Sequence, residues 1–163
     1  MSQLRDELRS LLTETRYATL ATHDPDGSTH LTPIWFLFDV DRFYFESFSG
    51  SRKVANLRLN PDASVVVDCR QPGRERWVSA SGRAEILTGG EAQAINSRIR
   101  ARYLTREALG DARIEPGFAA ADDVTIRLTP VRWRSWAVRD IDEQFFGGIL
   151  GATPDRWFLP VDA

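Results

Sequence analysis

The chain has 163 residues, 42% of them hydrophobic and 27% charged, and its formal net charge is −2. That size and composition favour a single soluble globular domain, and no apolar run approaches the roughly 20 residues of a membrane span. The near-neutral charge argues against nucleic acid binding by bulk electrostatics. The lone cysteine, Cys69, excludes an internal disulfide and a cysteine metal cage. The charged N-terminus contains no apolar signal core, which predicts a cytoplasmic protein.

The first part of the chain predicts a helix followed by three strands. Leucines recur at helical spacing within residues 1–15, at positions Leu4, Leu8, Leu11 and Leu12. Strands are predicted at 16–22, 29–38 and 42–47. The turn sequences DPDG (24–27) and DVD (39–41) separate them. Pro33 has no amide proton to donate, so the second strand should lie at an edge, at a bulge or beside a ligand.

The sequence SGSRKVANLRLNP, residues 49–61, predicts a short amphipathic helix. Val54 and Leu57 share one face of it, and Leu59 is a third candidate for that face. Pro61 cannot continue the helix and is expected to end it. The basic residues of this segment therefore lie near the predicted start of a helix.

Two cations follow the serines at this predicted helix start. Lys53 is the only lysine among the 21 basic residues, and it follows Arg52. Either Ser49 or Ser51 would cap the helix by accepting a hydrogen bond from a free backbone N–H. Free amides, the positive end of the helix dipole and two cations together favour the binding of a phosphate. A solvated helix start with ordinary basic residues is the alternative that composition leaves open.

The second part of the chain predicts more strands around one long helix. Strands are expected at 63–69, at 76–87 and, broken in two at Pro130, over 123–138; the helix is expected at 90–104. One face of the strand at 76–87 is formed by Val78, Ala80, Gly82, Ala84 and Ile86. Its small residues would let another backbone or subunit approach closely, which predicts dimerisation near Gly82. The pattern assigns no structure to the tail, 139–163.

These elements predict a mainly β fold with flanking helices. Six or seven mostly antiparallel strands would form a small barrel within residues 16–138. The sequence contains no GxGxxG after a strand, no Walker GxxxxGK[ST], no HExxH and no GxSxG. His23 abuts a turn and His30 lies in a strand, so no metal site is predicted. No side chain is assigned as a catalytic acid or base.

The order of the segments from Ala18 to about Leu87 resembles a known family. The relevant sequences are LATHDPDGSTHLTPIWFLF, FYFESFSGSRKVANLRLNPDASVVV and WVSASGRAEI. They resemble the pyridoxamine 5′-phosphate oxidase-like, FMN-binding split barrels, and the later RLTPVRWRSW fits the ending of that family more loosely. The most specific element is S-R-K followed by Leu57 and Asn60-Pro61. The resemblance implies a split β-barrel.

The resemblance also implies a set of cofactor-binding residues. In that family the S-R-K basic pair binds the cofactor phosphate, which corresponds to Arg52 and Lys53 after Ser51. Ser47 lies where a family threonine contacts the cofactor. The strand that lines the isoalloxazine ring corresponds to Thr32, Pro33, Ile34 and Trp35. Trp77 is implied to approach the ring across a dimer interface.

Departures from the family pattern point away from the oxidation of pyridoxamine phosphate. The vitamin B6 oxidases have an arginine near position 32 and a glutamine near position 77, where this chain has Thr32 and Trp77. The segments PIW (33–35) and ARY (101–103) resemble instead the branch that uses the deazaflavin F420. The anionic oligoglutamate tail of F420 could meet three arginines of the predicted helix, Arg98, Arg100 and Arg102, and also Arg106 just beyond it. A solvated helix face is the alternative for each of them.

The resemblance therefore implies a homodimeric oxidoreductase that binds F420 or FMN at the subunit interface. It would transfer a hydride to or from a small, flat, conjugated substrate. A carrier or sensor that binds flavin or deazaflavin without turnover would use the same phosphate contacts. A haem-binding relative of the fold is a third possibility, with His30 as its ligand. The residues do not distinguish F420 from FMN, because each carries a phosphate that suits the same contacts.

Overall fold

The computed structural model describes residues 6–161 and contains an antiparallel sheet of seven strands. The strands are β1 (Ala18–His23), β2 (Thr29–Ile34), β3 (Leu37–Asp39), β4 (Arg42–Phe48), β5 (Asp62–Cys69), β6 (Arg76–Leu87) and β7 (Asp123–Ala137). Their order in the sheet is β2-β1-β5-β6-β7-β4-β3. Strands β2 and β3 thus form opposite edges, yet only Trp35 and Phe36 separate them in the chain. The sheet must therefore curl until its edges approach each other, which confirms the predicted split barrel.

Helical segments flank this curled sheet. They are α1 (Asp6–Arg9), α2 (Arg52–Leu59), α3 (Gly89–Tyr103), α4 (Arg106–Leu109), α5 (Glu115–Ala120), α6 (Val138–Ile141), α7 (Ile149–Ala152) and α8 (Pro154–Trp157). Ser10–Leu12 continue α1 as a 3₁₀ turn, and Asp142–Phe146 form a π-helical turn after α6. Helix α2 packs against β1 and β6, and α3 packs against β4 and β7. Within residues 6–161, no helix has both the length and the apolar character needed to cross a membrane.

The interior of the barrel is filled mainly by aromatic and aliphatic side chains. Phe36, Phe43 and Phe45 are fully buried, and the ring of Phe43 lies 6.0 Å from Phe36 and 6.1 Å from Phe45. The N-terminal segment adds the buried leucines Leu8, Leu11 and Leu12. These three confirm the predicted stripe, whereas Leu4 lies outside the described residues. Burying each such side chain contributes about 1.5–3 kcal/mol, so this cluster is the main source of stability.

The single strand predicted over 29–38 is divided into β2 and β3. Trp35 and Phe36 leave the sheet between the two strands. The backbone N–H of Phe36 donates to the hydroxyl oxygen of Tyr103 at 3.1 Å, across 67 residues of sequence. A side chain that is distant in sequence therefore accepts the hydrogen bond of the backbone N–H at this break. The local sequence pattern could not predict the break. Strand β2 is nevertheless an edge strand, as the missing amide proton of Pro33 indicates.

The predicted break at Pro130 is wrong, because β7 continues through it. Gly82 pairs with Pro130 and Ser81 pairs with Arg132 in the register of β6 and β7. Val131 is therefore an extra residue in a β-bulge. The bulge accommodates a proline that lacks a donor without ending the strand.

The small-residue face of β6 points into the barrel. Val78, Ala80 and Ala84 are buried in the core of the chain. A Cβ atom added at Gly82 would lie 2.0 Å from the carbonyl oxygen of Thr129 on β7. Strand β7 of the same chain thus makes the close approach that these small residues allow. The prediction that a second subunit docks on this face is wrong, because the chain's own core covers it.

Candidate functional site

A cavity of about 510 Å³ opens where the two edges of the curled sheet approach each other. The end of β2 with the residue after it, the end of β4, helix α5 and the start of β7 contribute to its wall. The lining residues include Pro33, Ile34, Trp35, Glu46, Ser47 and Phe118. Four residues predicted from the sequence thus lie in one cavity, namely Pro33, Ile34, Trp35 and Ser47. The fold brings the predicted ring-binding segment next to the end of β4.

An aromatic stack supports one wall of the cavity. The rings of Trp35 and Tyr103 lie 4.9 Å apart and are nearly parallel, with 2° between their planes. The Tyr103 hydroxyl donates to the carbonyl oxygen of Arg16 at 2.6 Å and accepts from the Phe36 N–H. Burial raises the pKa of Tyr103, so its hydroxyl keeps the proton that it donates. No local pattern in the sequence indicates this supporting role of Tyr103.

Helix α2 begins beside the cavity but without the predicted side-chain cap. Ser51 occupies the N-cap position, yet its hydroxyl does not bond to a helix N–H. That hydroxyl lies 2.9 Å from the hydroxyl of Ser47. Val54 and Leu57 are buried as predicted, whereas Leu59, the third candidate, is 73% exposed. The two serines join the end of β4 to the start of α2, which places the basic pair next to the cavity.

Arg52 lies at this helix start in an ion pair with Asp24. Its Nε donates to Asp24 Oδ1 at 2.8 Å, and Asn56 Nδ2 donates to the same oxygen at 2.8 Å. These hydrogen bonds, that of Arg52 first, lower the pKa of Asp24 to about 2. The Arg52 side chain stays 63% exposed, so its remaining N–H groups face solvent. Asp24 thus orients the guanidinium without burying it.

Lys53 differs from its neighbour because it has no protein partner. Within the part of the chain that the structure describes, its amine makes no hydrogen bond or ion pair. The side chain is half-buried, and burial lowers the pKa of its amine. A half-buried cation without a counter-ion is available to an anionic ligand.

Five predicted site residues do not line this cavity: Ser51, Arg52 and Lys53, which lie at the start of α2, and also Thr32 and Trp77. The hydroxyl of Thr32 is 3.0 Å from Nε2 of His30 on the same strand. Trp77 lies on the outward face of β6, opposite Trp136 on β7. Trp77 therefore does not reach the cavity of its own chain.

Three of the four arginines predicted to meet an anionic tail already have partners within the chain. Arg98 pairs with Asp39 at 2.8 Å, and Arg102 donates to backbone carbonyl oxygens, that of Leu12 among them. Arg100 is largely buried and forms ion pairs with Glu46 and Asp123, which also anchor α3 to the sheet. Arg106 is exposed and has no partner among residues 6–161. Arg98, Arg100 and Arg102 would therefore have to exchange these partners to contact a ligand tail, and their contact with such a tail stays a prediction.

The sequence analysis also missed two acidic residues in the wall of the cavity. Glu46 on β4 and Asp123 at the start of β7 both line it, and both bond to Arg100. In the sequence, Glu46 appears only as a glutamate among the aromatic residues of an alternating strand. That pattern does not predict its burial, because its partners Arg100 and Asp123 are distant in sequence.

Proteins with this split barrel are known, and one family includes this chain. Residues 4–137 match the sequence profile described as pyridoxamine 5′-phosphate oxidase, so the chain belongs to that family. No curated protein matches the chain.

Solved structures share the fold. Rv2991 from Mycobacterium tuberculosis, a conserved hypothetical protein, is 28% identical with a TM-score of 0.71, over 86% of this chain and 89% of that one. An F420 reductase is 26% identical with a TM-score of 0.63, over 80% of this chain and 98% of its own. The haem storage protein HutZ from Vibrio cholerae is 17% identical with a TM-score of 0.62, over 83% and 94%. At that identity HutZ shows the fold alone.

Proposed function

We propose that the protein is a cytoplasmic oxidoreductase that binds F420 or FMN by its phosphate. It would transfer a hydride between that cofactor and a small conjugated substrate. Arg52 and Lys53 would bind the phosphate, with Ser47 and Ser51 beside it, and the ring would lie against residues 32–35. When bound, the cofactor supplies the hydride chemistry, and the chain supplies binding and orientation. The family and the similarity to an F420 reductase support this proposal.

The observation that carries the proposal is the unpartnered amine of Lys53. A charge that is half removed from water is unfavourable unless an opposite charge compensates it. A phosphate would provide that charge, and the first-turn amides of α2 lack a side-chain acceptor and would donate to it. Lysine presents a compact point charge, whereas the exposed fork of Arg52 suits two phosphate oxygens. The residues present therefore fit a phosphate-bearing cofactor.

Fluorescence titration of the cofactor-free protein with FMN, F420 and riboflavin tests this proposal. Riboflavin is the matched control, because it has the ring of FMN without the phosphate. One charge-assisted contact contributes about 1.5–3 kcal/mol and the phosphate would make several, so FMN should bind at least roughly 10- to 150-fold more tightly than riboflavin. Equal affinities for FMN and riboflavin would contradict the phosphate assignment. The tighter of FMN and F420 identifies the natural cofactor.

We also propose that two copies of the chain form a dimer through the outward face of β6 and β7. Trp77 and Trp136 lie opposite each other on that face and are both half-buried, although neither belongs to the core cluster. Tryptophans with this exposure are typical of protein interfaces. Trp77 of one copy would then approach the cavity of the other.

Light scattering at micromolar concentration tests the dimer. The expected mass is twice the 18.4 kDa of one chain. Trp77→Ala should shift the protein toward the monomer, while Trp157→Ala, a change in the exposed C-terminal segment, should not. A monomeric parent would contradict the dimer but not the phosphate assignment.

A further inference from the structure

Two carboxylates and one guanidinium form a buried cluster in the wall of the candidate cavity. Nε of Arg100 donates to Glu46 Oε1 at 2.7 Å, and its Nη2 donates to Glu46 and to Asp123. The side chains of Arg100, Glu46 and Asp123 are only 12%, 16% and 9% exposed. The register of β4 and β7 pairs Phe48 with Asp123, so both acids lie on the same face as diagonal neighbours. The fold thus places two acids side by side at the cavity.

The charges of this cluster favour one retained proton. With both acids ionised, two negative charges would face the single positive charge of Arg100 in a site largely removed from water. Burial raises the pKa of Glu46, and the neighbouring Asp123 raises it further, against the opposing effect of Arg100. A proton on Glu46 makes the cluster neutral. Paired acids of which one keeps a proton are typical of sites that exchange protons.

The remaining residues that line the described part of the cavity are uncharged, and the cations Arg52 and Lys53 lie at the start of α2 rather than in its lining. Among the described residues that line it, Glu46 and Asp123 are the only charged ones, and the hydroxyl of Tyr17 is the only other titratable group. Helix α5 contributes the ring of Phe118, which lies 4.1 Å from Cζ of Arg100. Helix α3 contributes Arg100 itself, and the segment after β2 contributes uncharged side chains. Glu46 is therefore the group best placed to give a proton to a molecule in this cavity.

Resting on the proposed function, we propose that the Glu46 carboxyl exchanges a proton with the substrate in this cavity. Asp123 and Arg100 act as positioning residues. A substrate reduced here would gain a proton from Glu46 and a hydride, which a bound reduced cofactor would supply together with both electrons, so that two electrons and two hydrogens pass to the substrate. The Glu46 carboxylate is held by Arg100 and regains its proton from water.

The cluster also has a structural role, because Arg100 bonds to one acid on β4 and to another on β7. The second carboxylate nevertheless adds repulsion to a largely buried pair. Proton exchange explains the second acid, because its charge favours the protonated form of the first. The two roles differ in one measurable respect, which is whether the pKa of Glu46 lies above the ordinary value for glutamate.

The first experiment measures that protonation without any cofactor. The protein is labelled with ¹³C at the glutamate side-chain carboxyl carbons, and their NMR shifts are followed against pH. The resonance missing from Glu46→Gln identifies Glu46. We expect it to titrate clearly above the ordinary glutamate value of about 4.3. A Glu46 resonance that titrates at or below that value overturns the proposal.

The second experiment measures a single turnover. Protein loaded with reduced FMN or F420 is mixed with an enone, and oxidation of the cofactor is followed by absorbance. Glu46→Gln keeps the shape and hydrogen bonds of the protonated acid, so it should bind the cofactor as the parent does. Its rate should fall about 100- to 10,000-fold, the usual contribution of a general acid. Glu85→Gln, which removes a carboxylate paired with Arg127 outside the cavity, should react at the parental rate.

These outcomes separate the proton role from the proposed function. A parent that binds neither cofactor, or that binds one and never reacts, overturns the oxidoreductase proposal and the proton role together. A parent that reacts while Glu46→Gln reacts equally fast overturns the proton role alone. Glu46→Asp keeps the acid on a shorter side chain and should recover part of the lost rate. No recovery, with folding and cofactor affinity intact, overturns the proton role as well.

Discussion

Gly82→Ala is expected to lower the free energy of unfolding by at least about 3 kcal/mol, at or beyond the upper end of the usual cost of overpacking. The added Cβ would lie 2.0 Å from the carbonyl oxygen of Thr129 and 3.1 Å from Cα of Pro130. Both contacts are with backbone, so no side-chain rotation relieves them. The clash falls where the register of β6 and β7 shifts between Ser81 and Gly82. Relief would require β7 to move away from β6 in the middle of the sheet.

Urea unfolding of the parent and two glycine variants measures this effect. Gly90→Ala is the matched control, because Gly90 lies in α3 with nothing within 4 Å of an added Cβ. Alanine is the better helix former and Gly90 lies in the first turn of α3, so this control should lose no stability. An unchanged or higher midpoint for Gly82→Ala would contradict the close approach of β7.

Elements with strong local signals could be predicted from the sequence. The DPDG turn places Gly27 at φ +85°, and the next hairpin has positive φ at Val40 and Asp41. Strand β6 has the predicted bounds, and α3 begins one residue early, at Gly89, and ends one residue early, at Tyr103. In each case a turn residue or a hydrophobic period within a few positions determines the structure.

Features that depend on distant residues could not be predicted in the same way. The break at Phe36 depends on Tyr103, and the position of Arg100 depends on Glu46, 54 residues earlier in the chain. The hydroxyl of Ser51 bonds to Ser47 instead of the helix, because β4 ends beside α2. The candidate site was therefore predicted as a set of residues, whereas its acids and its aromatic support required the fold.

The last prediction concerns the lysine at the start of α2. Lys53→Ala should weaken the binding of both FMN and F420 about 10- to 150-fold, which corresponds to the loss of one charge-assisted contact of roughly 1.5–3 kcal/mol. The affinity for riboflavin should not change, because riboflavin has no phosphate. The free energy of unfolding should not fall either, since the amine has no partner within the described chain. Loss of affinity without loss of stability distinguishes a ligand contact from a structural one.

Arg42→Ala provides the control for charge. It removes one positive charge from an exposed residue at the opposite end of β4 from Ser47. If Lys53 acted only through the overall potential of the protein, both variants would weaken FMN binding equally, and the effect would disappear in salt. A direct contact predicts that Lys53→Ala alone loses affinity and that much of the difference persists at 0.5 M salt. Equal affinities of parent and Lys53→Ala for both cofactors would contradict the phosphate assignment, because the Lys53 amine would then have no role in binding.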